Sequence, residues 1–187
     1  GEYLGTTASR MGPADAIFAG FADHFIPQDD WPRVIRALCD TGDVSAIAEA
    51  AGPVGPAPLL QIETQVNEFF RGEYFGDIVN NLNHTGGDFA EDCIKKLARS
   101  SPLAMAATIE LIHRVRGLDD IVLALGMEYR FTYRAAEHGD FIEGIRAMVI
   151  DKDKSPKWRH AMTDPLLPAA SAMLRPLGAH SLDLTET

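Results

Sequence analysis

Beyond Pro58, every stretch long enough to be regular is patterned for a helix, and that restricts the chain to one fold class. The segment Gly52–Pro58, GPVGPAP, interrupts any regular element, because Gly adds backbone freedom while Pro removes donors. Behind it, helix signals recur at about 59–70 and 74–82, then from the Asp88/Glu91 pair to Ser100 and from Ser101-Pro102 to about Val115. A long run follows from Leu118 to His138. Asp88 and Glu91 have capping-box spacing, and Ser101-Pro102 puts a cap residue ahead of a proline at the first helical position. In the long run, Leu118, Ile121, Val122, Leu125 and Tyr129 fall on one face.

The chain ahead of Pro58 is more mixed. Its first residues, GEYLGTTA, read as the end of a helix already under way, which raises the expectation of a longer parent protein. Pro13 opens a short helix that Gly20 ends, and Ala22–Ile26 is the one strand candidate, closed by Pro27. A helix is expected over about Asp30–Cys39, with Val34, Ile35 and Leu38 on one face, and Asp43 is placed to cap another over Val44–Ala51. A lone strand leaves backbone donors and acceptors unpaired, so its partners must come from elsewhere. The expected organisation is mostly α. It has a short α/β lead-in over 1–51, a linker over 52–58, a helical region over 59–165 and a tail over 166–187.

Composition narrows the function classes. A formal net charge of -10 over 187 residues argues against a nucleic-acid phosphate backbone as partner. No apolar run reaches the roughly 18 residues of a membrane span, and no secretory leader pattern stands at the front. Cys39 and Cys93 are isolated within helical patterns and read as small buried hydrophobes. Met105, Met127 and Met148 read as core filler. His84, His113, His138, His160 and His180 lack ligand spacing, so no metal is expected. Asp23-His24 has no accompanying nucleophile motif and reads as structural. Glu128 is placed to pair with Arg130 or Arg134.

The densest stretch runs from Asp140 to Trp158, DFIEGIRAMVIDKDKSPKW. Asp140 and Glu143 have capping-box spacing, and Phe141, Ile145, Met148 and Val149 form one apolar face. Gly144 inside the helix costs about 1 kcal/mol relative to Ala, which is tolerated where another group comes close. Asp151-Lys152-Asp153-Lys154 is a charged run, and Ser155-Pro156 is placed to cap a last turn holding Trp158.

Met127-Glu128-Tyr129-Arg130, Asp140-Phe141, Glu143-Gly144, Arg146-Ala147 and Ile150–Asp153 through Ser155–Trp158 resemble the C-terminal signature of 3-hydroxyisobutyryl-CoA hydrolases. These enzymes belong to the enoyl-CoA hydratase/isomerase (crotonase) superfamily. Leu4–Met11, Ala16–Phe25 and Ser101-Pro102 extend the resemblance, which covers about residues 2–160. It implies the C-terminal helical region of a crotonase-like fold, with at most one or two short strands here and the N-terminal β-β-α spiral core absent. It also implies hydrolysis of a short branched β-hydroxyacyl-CoA thioester in valine breakdown, with no cofactor beyond the CoA substrate. The oxyanion-hole and carboxylate motifs of such enzymes do not occur in this sequence, so no catalytic residue is assigned and the chain alone is expected to be inactive. Gly86-Gly87-Asp88-Phe89-Ala90 mimics an oxyanion-hole motif but reads as a turn and a helix start.

The site residues the resemblance suggests are Lys152, Lys154 and Lys157, a cationic group in an acidic chain that could meet CoA phosphates; the alternative is a solvated, salt-bridged run. The expected partners are the acyl-CoA substrate and either the missing N-terminal half or another copy of the chain. The place of action would be the bacterial cytoplasm, or the mitochondrial matrix in a eukaryote. An enoyl-CoA hydratase or isomerase parent is an alternative, and a non-catalytic helical interaction module is one of a different class.

Overall fold

A computed structural model describes residues 1–184, and all its regular elements are helical. The chain divides into two compact units: Arg10–Gln65, and Gly1–Ser9 together with the chain from Val66 onward.

In Arg10–Gln65, α2 (Pro13–Phe18) follows α1 (Glu2–Thr7) of the other unit and starts on the predicted proline. Asp15 is buried because its carboxylate accepts from two backbone amides, Gly12 N at 3.4 Å and Leu59 N at 2.8 Å. Helix α3 (Trp31–Thr41) ends at Gly42, whose φ of 69° suits a residue without Cβ, and it packs against α4 (Ser45–Glu49). Asp43 takes the amide of Ser45 at 2.9 Å.

Among the described residues no strand forms, so the expectation for Ala22–Ile26 is corrected. The Phe25 carbonyl accepts from Gly52 N at 2.8 Å and the Ile26 carbonyl from the Trp31 indole at 3.0 Å. Single bonds of this kind satisfy separate carbonyls without building a ladder. Gly52–Ala57 is irregular, as its composition demands, and the boundary between the two units falls inside α5 (Pro58–Phe69). Cys39 is exposed rather than buried.

The second unit is organised around α8 (Pro102–Val115), which touches α1, α6 (Phe75–Thr85), α9 (Ile121–Ala135) and α11 (Leu167–Met173). Leu103, Met105, Ala107 and Ile109 are all 2 % exposed or less. Ser101 caps α8, its Oγ accepting from Ala104 N at 3.2 Å. Helix α1 lies so close to α8 that a Cβ on Gly5 would stand 2.8 Å from Thr108 Cγ2, so this contact requires glycine. Tyr3 packs edge-on against Phe70, with ring centroids 5.1 Å apart, and stacks on Phe89. Helix α7 (Asp88–Leu97) buries Cys93, and desolvation pushes that thiol up to about 11.

The Asp88/Glu91 capping box does not form. Gly87, at φ 90°, occupies the cap position, and its carbonyl takes the Glu91 amide at 3.0 Å. The Gly86-Gly87 turn itself is present, both residues having positive φ. The segment from 166 carries α11, with Leu166, Ala170, Met173 and Leu174 buried; residues 185–187 of the sequence-defined tail lie outside the described residues.

Helix α9 holds α11 through its polar side. Arg134 Nη1 donates to the carbonyls of Met173 at 2.9 Å and Arg175 at 2.7 Å, and Arg130 Nη1 to that of Leu174 at 3.3 Å. Those arginines therefore serve carbonyls left open at a helix C-terminus, rather than Glu128 as the sequence suggested. The predicted apolar face of α9 is exposed, with Ile121 at 70 % and Val122 at 48 %. No helix among the described residues is long and apolar enough to cross a membrane.

Candidate functional site

The Asp140–Trp158 stretch folds as a short helix, α10 (Phe141–Ile145), a π-helical turn (Arg146–Ile150) and an irregular loop. Asp140 does not cap α10. Its buried carboxylate accepts from Ser101 Oγ at 2.5 Å and from Arg159 N at 3.0 Å, joining the start of α8 to the end of the loop. A charged acceptor in short hydrogen bonds is a strong tie, so the carboxylate is better used here than at the helix start. Ser155-Pro156 forms no final helical turn; the Ser155 amide instead donates to Asp153 Oδ1 at 2.9 Å.

Arg146 organises the charges. Nε donates to Glu143 Oε2 at 2.9 Å and Nη2 to Glu143 Oε1 at 2.8 Å, a bidentate pair. Nη1 donates to Asp151 Oδ2 and Asp153 Oδ2, both at 2.7 Å, and Nη2 also reaches the Ser155 carbonyl at 3.1 Å. Glu143 Oε1 accepts from the Lys157 amide at 2.6 Å as well. Hydrogen bonds from Arg146, then that amide, hold the Glu143 carboxyl at about 2. The same guanidinium lowers Asp153, and its three carboxylate partners raise Arg146.

Lys152, Lys154 and Lys157 are all exposed on this loop, Lys152 at φ 57° and Lys154 at φ 54°. The same stretch contributes Phe141, Ile145, Met148, Val149 and Trp158 to a groove of about 390 Å³ that Phe131 also lines; none of the three lysines lines it. A Cβ on Gly144 would meet the Trp158 ring at 3.7 Å, an ordinary van der Waals contact, so this approach does not require the helix-interior glycine. Met148 is 57 % exposed at the groove rather than core filler. Trp158 Nε1 is buried with no hydrogen-bond partner among the described residues.

Arg146 and Asp140 are the organising residues that sequence reasoning missed. The signal for Arg146 was present: one arginine three residues after Glu143 and shortly before Asp151 and Asp153. A linear reading pairs those acids with the lysines beside them. The partner of Asp140 at Ser101 lies 39 residues away and leaves no local trace.

The α8-centred helical unit thus bears the signature stretch folded onto one arginine. The chain belongs to the enoyl-CoA hydratase/isomerase family, whose model matches residues 1–171.

Among its relatives, the rat mitochondrial 3-hydroxyisobutyryl-CoA hydrolase is 30% identical, the match covering 86% of this chain and 44% of that protein. An Arabidopsis thaliana 3-hydroxyisobutyryl-CoA hydrolase-like protein is 32% identical over 88% of this chain and 46% of its own. A small ribosomal subunit protein, mS47 of Schizosaccharomyces pombe, is 29% identical over 84% of this chain and 40% of its own. The chain thus spans about half the length of the curated relatives it matches. The crystal structure of an enoyl-CoA hydratase from Rhodobacter sphaeroides superposes with a TM-score of 0.82 at 44% identity, covering 97% of this chain and 53% of that one. A carnitinyl-CoA dehydratase from Mycobacterium thermoresistibile gives 0.86 at 27% identity, over 100% and 54%.

Proposed function

We propose that this chain is the C-terminal helical part of a CoA-thioester hydrolase of the 3-hydroxyisobutyryl-CoA hydrolase type, and that it is inactive without the remainder of the protein. The observation that carries the reading is the Asp140–Trp158 stretch, whose signature residues fold into one arginine-centred loop beside an apolar groove. Relatives named for that activity support it.

In this reading the catalytic groups and the oxyanion donors lie in the other half. This chain contributes Lys152, Lys154 and Lys157 toward the CoA phosphates, and no cofactor beyond the CoA substrate takes part. Cation–phosphate contacts at such a surface are modest singly and add up across three side chains. The place of action is the mitochondrial matrix in a eukaryote, as for the relatives named mitochondrial, or the cytoplasm in a bacterium.

Release of free CoA from 3-hydroxyisobutyryl-CoA is the test, measured on the 187-residue chain and on the whole protein that carries it. Turnover by the whole protein and none by the chain is the expected result. Appreciable turnover by the chain alone overturns the division of labour.

A second reading, hydration of an enoyl-CoA, is favoured by the 44% identity to the Rhodobacter enoyl-CoA hydratase. Water addition to an enoyl-CoA without CoA release selects it. A third reading, a helical interaction module, draws on the ribosomal relative. Absence of turnover by the whole protein on both substrate types selects that one.

A further inference from the structure

A guanidinium carries five N–H donors, and every one on Arg146 is engaged within this loop. Nε and one Nη2 donor hold Glu143, the other Nη2 donor holds the Ser155 carbonyl, and the two Nη1 donors hold Asp151 and Asp153. The acids of the run are thereby drawn onto one cation, while Lys152 and Lys154, which alternate with them, make no ion pair among the described residues.

The backbone carries the second sign of this sorting. Lys152 and Lys154 both hold left-handed φ, a conformation unfavourable for a residue with Cβ and freely adopted by glycine. Asp153, between them, is fixed at both ends of its carboxylate, to Arg146 and to the Ser155 amide. Such strain persists where the surroundings over-determine it, and it clusters at ligand-binding positions. Keeping lysine at both positions is costly for folding alone, and it makes sense where the ammonium groups have a use.

We propose that Arg146 is a positioning residue for CoA phosphate binding: by gathering Glu143, Asp151, Asp153 and the Ser155 carbonyl, it fixes the backbone from which Lys152, Lys154 and Lys157 project and keeps their charges unneutralised. The inference rests on the proposed role of those lysines. The low carboxyl of Glu143 supports it, since the clamp then stays intact across neutral and mildly acid pH.

The test uses Arg146→Gln in the whole protein, with kcat and KM measured on an acyl-CoA thioester and on the matching acyl-pantetheine thioester, which has no CoA phosphates. The expected result is a KM for the CoA thioester raised by about five- to tenfold, with kcat within about twofold and the pantetheine thioester unaffected. Arg146→Lys, which keeps the charge but loses the fork, falls between the two. An equal KM rise on both thioesters, or no rise on either, overturns the proposal.

Lys152→Gly/Lys154→Gly separates the two claims, because it relieves the backbone strain and leaves the clamp residues in place. If this variant keeps the wild-type KM for the CoA thioester, the lysine reading itself fails, and the role of Arg146 with it. If it raises KM while Arg146→Gln does not, only the role of Arg146 fails. Should Arg146→Gln not fold, Asp151→Asn/Asp153→Asn takes its place with the same expected split and the same overturning results.

Discussion

Helices α8 and α9 are neighbours with similar apolar patterns and opposite fates. In α8 the apolar positions are the core, with Ile109 at 1 % exposure and Leu103 at 2 %. In α9 Ile121 stands at 70 % and Leu123 at 51 %, and Arg130 and Arg134 tie the helix to the end of α11. An amphipathic pattern states that a face needs cover without stating what covers it. On the proposed reading the cover for α9 lies in the rest of the protein. The apolar side of α10 and its π turn repeats the situation, with Phe141 and Val149 exposed at 58 % and 62 %.

Core truncation should separate the two helices most. Ile109→Ala should destabilise the chain by about 2–5 kcal/mol in urea unfolding, whereas Ile121→Ala should stay within about 0.5 kcal/mol. Equal losses would show that the face of α9 is covered in the chain alone. Next in size, Asp140→Ala leaves Ser101 and the Arg159 amide without their acceptor. A loss of about 1–3 kcal/mol is expected by the same assay, and none would remove the tie between α8 and the loop.

Asp120→Ala sharpens the picture of α9, because that carboxylate caps it by accepting from Val122 N at 2.9 Å and Leu123 N at 3.1 Å. Here about 1 kcal/mol is expected, read as fraying of the first turn in amide exchange.

The smallest effect is pH-dependent. Glu143 has its folded value depressed from 4.5 to about 2, so it stabilises the fold above the unfolded value, and that contribution is lost as pH falls from 4.5 toward 2. NMR titration should place its midpoint near 2 and move it back toward 4.5 in Arg146→Gln. An unmoved midpoint would mean that Arg146 is not the cause.

What was legible in the sequence follows the range of each interaction. Helices announced by local chemistry were placed within a few residues: Ser101-Pro102 opens α8, Pro13 opens α2, and the Gly/Pro segment stays irregular. Two predicted capping boxes failed where something else claimed the position. Gly87 took the cap of α7 through its positive φ, and Asp140 was drawn to Ser101 and Arg159. The expected strand at Ala22–Ile26 had only Phe25 and Ile26 as strand-favouring residues and no second strand among the described residues to pair with. At the candidate site, the lysines could be read as a charged run, but the gathering of the acids onto Arg146 depends on a loop whose left-handed lysines no residue type announces.

On the proposed reading this chain is one part of a CoA-thioester enzyme, with the face of α9 covered by the remainder. Hydrogen exchange on the 187-residue chain and on the whole protein addresses it directly. The amides of α8 should then exchange equally slowly in both, while those of α9 exchange quickly in the chain and become protected in the whole protein. Equal protection of α9 in the two would contradict it.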